Sequence, residues 1–314
     1  MSLNRREFLA STLALTAASA AAQPLEDLWG GNVIDIHSHL RRDNDGNAMH
    51  MDGCGVSHAL LLSRGAPVEQ IHAMQAKYPH RFVWSSSVDV TQHLASRLLT
   101  EAVKKGAIGF GELKSNVTAN GPELQRLYGL AAELDVPILI HFQEFPHYEG
   151  ETNYATGIKK LARMLETYPK TRFVGHADAF WANISADYAN QEAYPSGPIK
   201  PGGVTDKLLS DYENMYGDMS ANSGNNALSR DPEFTKDFLK RHQDKLMFGS
   251  DCSCADGHGA GVSQDRNPAA KRLSGKCVAR ETLTVLKRST TPEVFRKLTW
   301  ENAQRIYRIP KWDA

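Results

Sequence analysis

Eight short apolar segments, each followed by a stretch of helical periodicity, limit what this chain can fold into more than any other feature. The strand-like segments fall at 33–37, 57–63, 81–87, 107–112, 136–141, 171–176, 214–219 and 245–250. Between them the periodicity changes. Residues 67–78 open at Pro67, a first-turn position, and stop before Pro79. Residues 91–105 put Leu94, Leu98, Leu99 and Val103 on one helical face. Residues 122–134 start at Pro122 and carry Leu124, Leu127, Leu130 and Ala131, and residues 155–168 carry Ile158, Leu161, Ala162 and Leu165 before Pro169. A last helix is expected over 291–307. Alternation of this kind predicts an α/β fold, a parallel sheet closed as a distorted (β/α)8 TIM barrel, in one domain over 23–314. Two longer stretches, 177–203 and 252–266, read as loops on the face where such barrels carry their sites.

The strand-like segments end on one chemical kind of residue. In Val33-Ile34-Asp35-Ile36-His37-Ser38-His39 the two imidazoles share a face, about 7 Å apart along a strand. Glu112 ends the fourth segment, His141 the fifth, His176 the sixth and Asp251 the eighth. The intervals average roughly 31 residues per βα unit, which is what a barrel of about 250 residues allots to each of eight units. Singly, each has an ordinary explanation: a hydrogen-bonded core histidine, or a helix cap for Glu112 or Asp251. Together, four imidazoles and two carboxylates are costly to bury unless a divalent cation pairs them. The six are therefore candidate metal ligands.

At this point the chain resembles a known family. Asp35-x-His37-x-His39, Glu112 in Gly-Glu-Leu-Lys, His141, His176 and Asp251 look like the amidohydrolase superfamily of metal-dependent barrel enzymes, closest to its amidohydrolase-2-related branch. The resemblance implies that His37 and His39 bind a first metal with Asp251. His141 and His176 then bind a second, or one of them touches the shared water. The bridging ligand is often a carboxylated lysine. Here that position holds Glu112, as in the TatD-type deoxyribonucleases; Lys114, two residues on, is left to bind a substrate carboxylate or to serve as the modified bridge. With Glu112 turned away the site would be mononuclear. Zn²⁺ is the expected ion, one or two per chain, with Mn²⁺, Fe²⁺ or Ni²⁺ as alternatives. The implied activity is hydrolysis of an amide, ester or lactone carbonyl in a small molecule. Metal-activated water attacks, Asp251 acts as base and then acid, and the carbonyl is polarised by the other metal or by His176. Three rivals stand beside it: a non-oxidative decarboxylase, a TatD-like phosphodiesterase and a non-catalytic metal-binding protein.

Other residues are secondary candidates. Asp35 is placed to orient a ligand or to make a buried hydrogen bond. Arg41 and Arg42 offer an anion contact or a solvated loop pair. Glu144, His147 and Tyr148 follow His141, and Trp181 offers an apolar wall or plain packing. Asn222 and Asn225 follow the seventh strand, and His258 is a lesser candidate in the last loop. His50, His58, His72, His80, His93 and His242 receive no role. Of the four cysteines, Cys252 and Cys254 adjoin Asp251; soft metal ligation is open to them, but a disulfide or plain thiols is the preferred reading.

Charge and the N-terminus bear on location and partners. Lys plus Arg is 36 and Asp plus Glu is 36, so neither nucleic acid nor an anionic membrane is expected as a partner. Arg5-Arg6 before Phe8-Leu9 and the apolar run to Ala22 resemble a twin-arginine export signal over 1–22. The export machinery would then be a partner, and the mature protein periplasmic or secreted.

Overall fold

The computed structural model describes residues 27–43, 45–146, 150–151, 154–190, 192–261 and 268–310. The expected export signal, and His147 and Tyr148, lie outside the described residues. Strand and helix alternate as the periodicity predicts, but the stretch 177–203 expected as a loop opens with a short helix, Asp178–Ala182. β1 is Ile34–His39, α1 Gly46–Cys54, β2 His58–Leu62, α2 Val68–Lys77, β3 Phe82–Ser85 and α3 Ala95–Lys104. β4 is Phe110–Leu113, α4 Pro122–Glu133, β5 Ile138–His141, α5 Leu161–Thr167, β6 Phe173–His176 and α6 Asp178–Ala182. Then follow α7 Val204–Asp211, β7 Met215–Asp218, α8 Ala221–Ser229, α9 Pro232–Arg241, β8 Leu246–Met247 and α10 Val278–Ser289. The expected last helix is α11 Pro292–Arg296 and α12 Asn302–Tyr307, joined by a π-turn over Lys297–Glu301.

The parallel strands run in sequence order around the fold. They form two ladders, β1-β2-β3 and β4-β5-β6-β7-β8. The expected single closed sheet is thus interrupted at two seams, where the strands are too short and irregular to pair along their length. Each seam still carries backbone bonds. Ile108 N–H donates to Trp84 O at 2.9 Å and Gly111 N–H to Ser86 O at 2.8 Å, beside a Ser86–Phe110 bridge. At the other, Ile36 N–H donates to Phe248 O at 3.1 Å and Asp251 N–H to His37 O at 2.8 Å. All strands therefore present their C-terminal ends on one rim.

Apolar burial holds that rim in place. Ile34, Ile36, Leu60, Leu62, Val83, Leu139, Val174 and Met247, from six strands, meet in one buried cluster with Ala303, Ile306 and Tyr307 of α12. A larger cluster packs Ala59, Leu61, Phe110, Ile138 and Phe173 against helix residues such as Leu99, Leu127, Leu209 and Phe238. The expected face of α3 needs correction. Leu94 and Leu98 are 39% and 45% exposed, and the buried stripe is Ala95, Leu99 and Ala102. Two overlapping stripes at helical spacing were available, and the one with small residues allows the closer approach to the sheet.

A partly buried ion-pair cluster joins α7 to the end of α9. Asp206 Oδ1 accepts from Arg241 Nη1 at 2.6 Å and from His242 Nε2 at 2.7 Å. Burial raises the Asp206 pKa, but His242 and Arg241 outweigh it and bring the carboxyl from 3.8 down to about 2. A carboxyl depressed on folding stabilises the fold above its unfolded pKa and loses that contribution as pH falls through its folded value. Asp206→Asn is thus expected to lower unfolding free energy by about 1 kcal/mol at pH 7, less than the whole shift implies because water reaches Arg241 and screens the pair. The gap between the two proteins should close as the pH approaches 2, read by denaturant unfolding across pH; a gap independent of pH would remove the assignment.

Candidate metal centre

On the shared rim, β1 delivers His37 and His39, β4 Glu112, β5 His141, β6 His176 and the segment after β8 Asp251. The six residues expected from the strand ends come together. His37 Nε2 and His39 Nε2 face each other at 3.2 Å. Glu112 Oε2 lies 3.4 Å from His39 Nε2 and 3.8 Å from His37 Nε2. Asp251 Oδ1 lies 3.2 Å and 3.8 Å from the same two nitrogens. The other Glu112 oxygen, Oε1, meets His141 Nδ1 in a short contact and stands 3.5 Å from His176 Nε2. One carboxylate therefore shows an oxygen to each of two imidazole pairs. Glu112 occupies the place between them and is not turned away.

Asp218, which ends β7, was not among the expected site residues. It is fully buried behind two of the imidazoles. His37 Nδ1 and Asp218 Oδ2 are 2.6 Å apart. Ser220 Oγ donates to Asp218 Oδ2 at 2.9 Å, so it must accept from His176 Nδ1, also at 2.9 Å. A hydroxyl has a single hydrogen to give, and that fixes the tautomer. With a cation bound, both rings would keep their protons on Nδ1 and turn a lone pair on Nε2 toward Glu112, the state a metal ligand needs. Gly249 makes the approach feasible, since a Cβ there would lie 2.4 Å from Asp218 Oδ1 and 2.9 Å from His37 Cβ. The signal for Asp218 was present in Met215-Tyr216-Gly217-Asp218, an apolar run stopping at a carboxylate. Asp218→Asn is expected to cost about 10–100-fold in metal affinity, as other partners behind metal-bound histidines do. Competition with a chromophoric chelator measures it, and wild-type affinity would show that the carboxylate orients nothing.

The electrostatics call for positive charge. Burial alone would lower the His37 pKa, yet Asp218, Asp251 and Glu112 hold it up to about 10. His176 is pushed the other way by burial and by His37, to about 4, so its ring is neutral. Burial works against charge on Glu112 too, but His141, His39 and His37 keep its carboxyl well below the usual range. Asp251 is likewise lowered by His37 and His39 despite burial. The donor set fits a divalent cation. Nitrogen and oxygen ligands at about 2.1 Å in tetrahedral array stand about 3.4 Å from one another, and the separations of 3.2, 3.2 and 3.4 Å around His39 Nε2 lie at or just below that value.

The secondary candidates separate. Asp35 does not reach an imidazole: it accepts from His37 N–H at 2.9 Å, from Ser250 N–H at 2.8 Å and from Ser250 Oγ. It thereby fixes the turn that presents Asp251. Lys114 Nζ pairs with Glu151 Oε1 at 3.1 Å, so it is not the bridging residue, and its charge is already met. Glu151 bonds Gln143 Nε2 at 2.9 Å, and Gln143 Oε1 lies 2.9 Å from His141 Nε2. Arg41 Nη2 donates to the carbonyls of Cys252 at 3.1 Å and Cys254 at 2.7 Å, tethering the loop after β8. Arg42 is exposed. Trp181 is 1% exposed and no pocket wall; its indole N–H donates to Asp218 O at 2.9 Å and its ring packs on Phe180 and Phe238. Asn222 stands half-buried in the first turn of α8, its carbonyl 3.5 Å from Arg272 Nη2. Asn225 is buried between Thr282 and Arg272, Glu144 accepts from Gly157 N–H, and His258 is exposed. A groove lined by Trp29, Phe295 and Trp300 opens near the start of β1 and holds none of the cluster.

Comparison with known proteins bears on family and fold. A family profile described as Amidohydrolase matches residues 64–309. That stretch includes Glu112, His141, His176, Asp218 and Asp251, and begins after His37 and His39. No curated protein matches the chain. Among solved structures, a dihydroorotase from Campylobacter jejuni superposes with a TM-score of 0.50 at 16% identity, over 90% of this chain and 84% of that one. A TatD homologue from Escherichia coli superposes with a TM-score of 0.52 at 14% identity, over 88% of this chain and 98% of that one. At such identities these two likenesses speak for the fold alone.

Proposed function

The chain belongs to the amidohydrolase family, and from that premise we propose that it is a metal-dependent hydrolase acting on a carbonyl, an amide, ester or lactone, of a small molecule. The observation that carries the reading is Glu112 with one oxygen toward His37 and His39 and the other toward His141 and His176. Those five residues would hold one or two divalent cations, Zn²⁺ first, with Asp251 completing the set at its open edge. Such a cation supplies Lewis acidity and a water whose pKa is lowered toward about 7.

The chain's own groups do the rest. The Asp251 side chain is 28% exposed where those of His37 and Glu112 are 0% and 11%. It is therefore the acid that a substrate can reach. As a carboxylate it accepts a proton from the attacking water and returns it to the leaving nitrogen or oxygen. His176, buried against Glu112 and Asp218, serves as a ligand, and the direct polarising role expected for it is set aside in this proposal. Asp218 and Asp35 hold the imidazoles and the Asp251 turn in place, so little is rearranged as charge develops.

The test is elemental analysis of the pure protein beside a panel of esters, lactones and N-acyl amino acids. Turnover within that panel that is lost on chelation and restored by Zn²⁺ is expected. Release of CO₂ from carboxylated substrates, phosphodiester cleavage, or bound metal with no turnover would each replace the reading. Export belongs to the same proposal and rests on Arg5-Arg6 and the apolar run behind them. Replacing both arginines by lysine is expected to retain the protein in the cytoplasm; unchanged fractionation would refute it.

A further inference from the structure

A second group of metal-type side chains lies outside the centre already described. His50 of α1, Cys252 and Cys254 after β8, and Cys277 at the start of α10 each place one donor atom within 4.8 Å of the other three. Cys277 Sγ stands 3.9 Å from Cys252 Sγ and 3.6 Å from His50 Nε2. His50, Cys254 and Cys277 are buried. All four cysteines are free; Cys54, which donates to Met51 O, neighbours Cys277 but is not one of the four donors. We propose that His50, Cys252, Cys254 and Cys277 form a Cys₃His site for a structural zinc ion, separate from the imidazole–carboxylate centre, which staples the Asp251 segment to α1 and α10.

Three observations carry it. The first is metrical. Sulfurs at about 2.3 Å from zinc in a tetrahedron stand about 3.8 Å apart, and a sulfur and an imidazole nitrogen stand about 3.6 Å apart. The two separations above match those edges, whereas a disulfide would bring its sulfurs to about 2.05 Å. The second is chemical. Three thiols and one imidazole are the donor set of closed structural zinc sites, with no position left for substrate. The third is architectural, because the segments that carry the donors are already pressed together. A Cβ at Gly53 would lie 1.8 Å from Asp256 O, and one at Gly257 2.4 Å from His50 O. Arg280 donates to Gly53 O and to Gly257 O at 2.9 Å, while Arg41 holds the carbonyls of Cys252 and Cys254. Loop, α1 and α10 thus converge at one point, and Asp251 is the next residue along the chain from the first sulfur donor. Of the two expected readings at Cys252 and Cys254, the disulfide is not formed and the thiols are free; in this proposal the free thiols are ligands. His50, which had no assigned role, enters because α1 turns it toward the same point.

The probe is cobalt. The full-length protein, stripped of metal under reducing conditions and saturated with Co²⁺, is expected to show thiolate-to-cobalt charge-transfer absorption in the near ultraviolet. Cys254→Ser and Cys277→Ser should each abolish that absorption and lower zinc content by one ion per chain. His39→Ala should leave the absorption in place, which keeps failure of this site distinct from failure of the hydrolase reading. The wild-type spectrum needs no variant to fold, and zinc released from wild-type protein by a thiol-selective mercurial gives a second, variant-free count. Cobalt-saturated protein without thiolate absorption would overturn the proposal. So would a zinc count unchanged by the mercurial, or a Cys252–Cys254 disulfide found by mass spectrometry in protein that binds its full complement of metal.

Discussion

Asp251→Asn is expected to lower kcat by about 10²–10⁴-fold, the range a positioned acid–base group supplies, while most of the metal stays bound. The substitution is close to isosteric, and the backbone should not object to it. Asp251 sits at φ 44, a left-handed conformation that asparagine adopts as readily as aspartate. Its N–H bond to His37 O and the Asp35 bonds to Ser250 are untouched. The three remaining donors there, His37, His39 and Glu112, keep their mutual distances, so a bound cation would lose one ligand and retain the others. What disappears is a proton acceptor at the open edge of the centre. KM should therefore change little while kcat falls, the pattern of an interaction made in the transition state. Elemental analysis and steady-state kinetics on the same preparation decide it. Activity and metal lost in parallel would make Asp251 a ligand and nothing more, and unchanged kcat would remove it from the chemistry.

Much of this centre is legible in the sequence, because a parallel barrel turns a one-dimensional regularity into a shared place. His37, Glu112, His141, His176 and Asp251 each stop an apolar strand, and strand ends meet on one rim whatever the helices between them do. The residues that escaped are those whose role depends on which neighbour they meet. Asp218 ends β7 by the same rule, but Tyr216 and Gly217 dilute the apolar run before it. Trp181 and Arg41 lie beyond strand ends, where loop geometry decides whether a side chain faces substrate, core or backbone; one went to the core and one to two carbonyls. His50 lies on α1, whose buried residues include Asn47 and His50 as well as Met51, so no amphipathic stripe marks the helix. The α3 face went wrong for a related reason, since Leu94 and Leu98 compete at the same spacing with Ala95 and Leu99. Pattern fixes which faces exist, and packing chooses among them.

Glu112→Gln separates one shared centre from two neighbouring groups of histidines. The carboxylate is the contact common to both imidazole pairs, its Oε2 toward His39 and its Oε1 toward His176. An amide keeps the shape but has one oxygen, and its NH₂ brings hydrogens where a cation or a protonated ring should stand. Either orientation of the amide leaves one pair without an anionic partner. Breaking a buried charge pair from one side costs about 3–5 kcal/mol, which as binding is about 10²–10⁴-fold in metal affinity. The expected variant therefore holds less metal at micromolar zinc and turns over at no more than about a hundredth of the wild-type rate, with both values recovering together at high zinc. Glu112→Asp tests reach in place of charge. Its shorter arm keeps the carboxylate but spans one pair at a time, so it should retain more metal than the amide and still lose most of the rate. If the amide variant instead binds its full complement at wild-type affinity, the two imidazole pairs do not share a ligand, and the hydrolase reading loses the observation on which it stands.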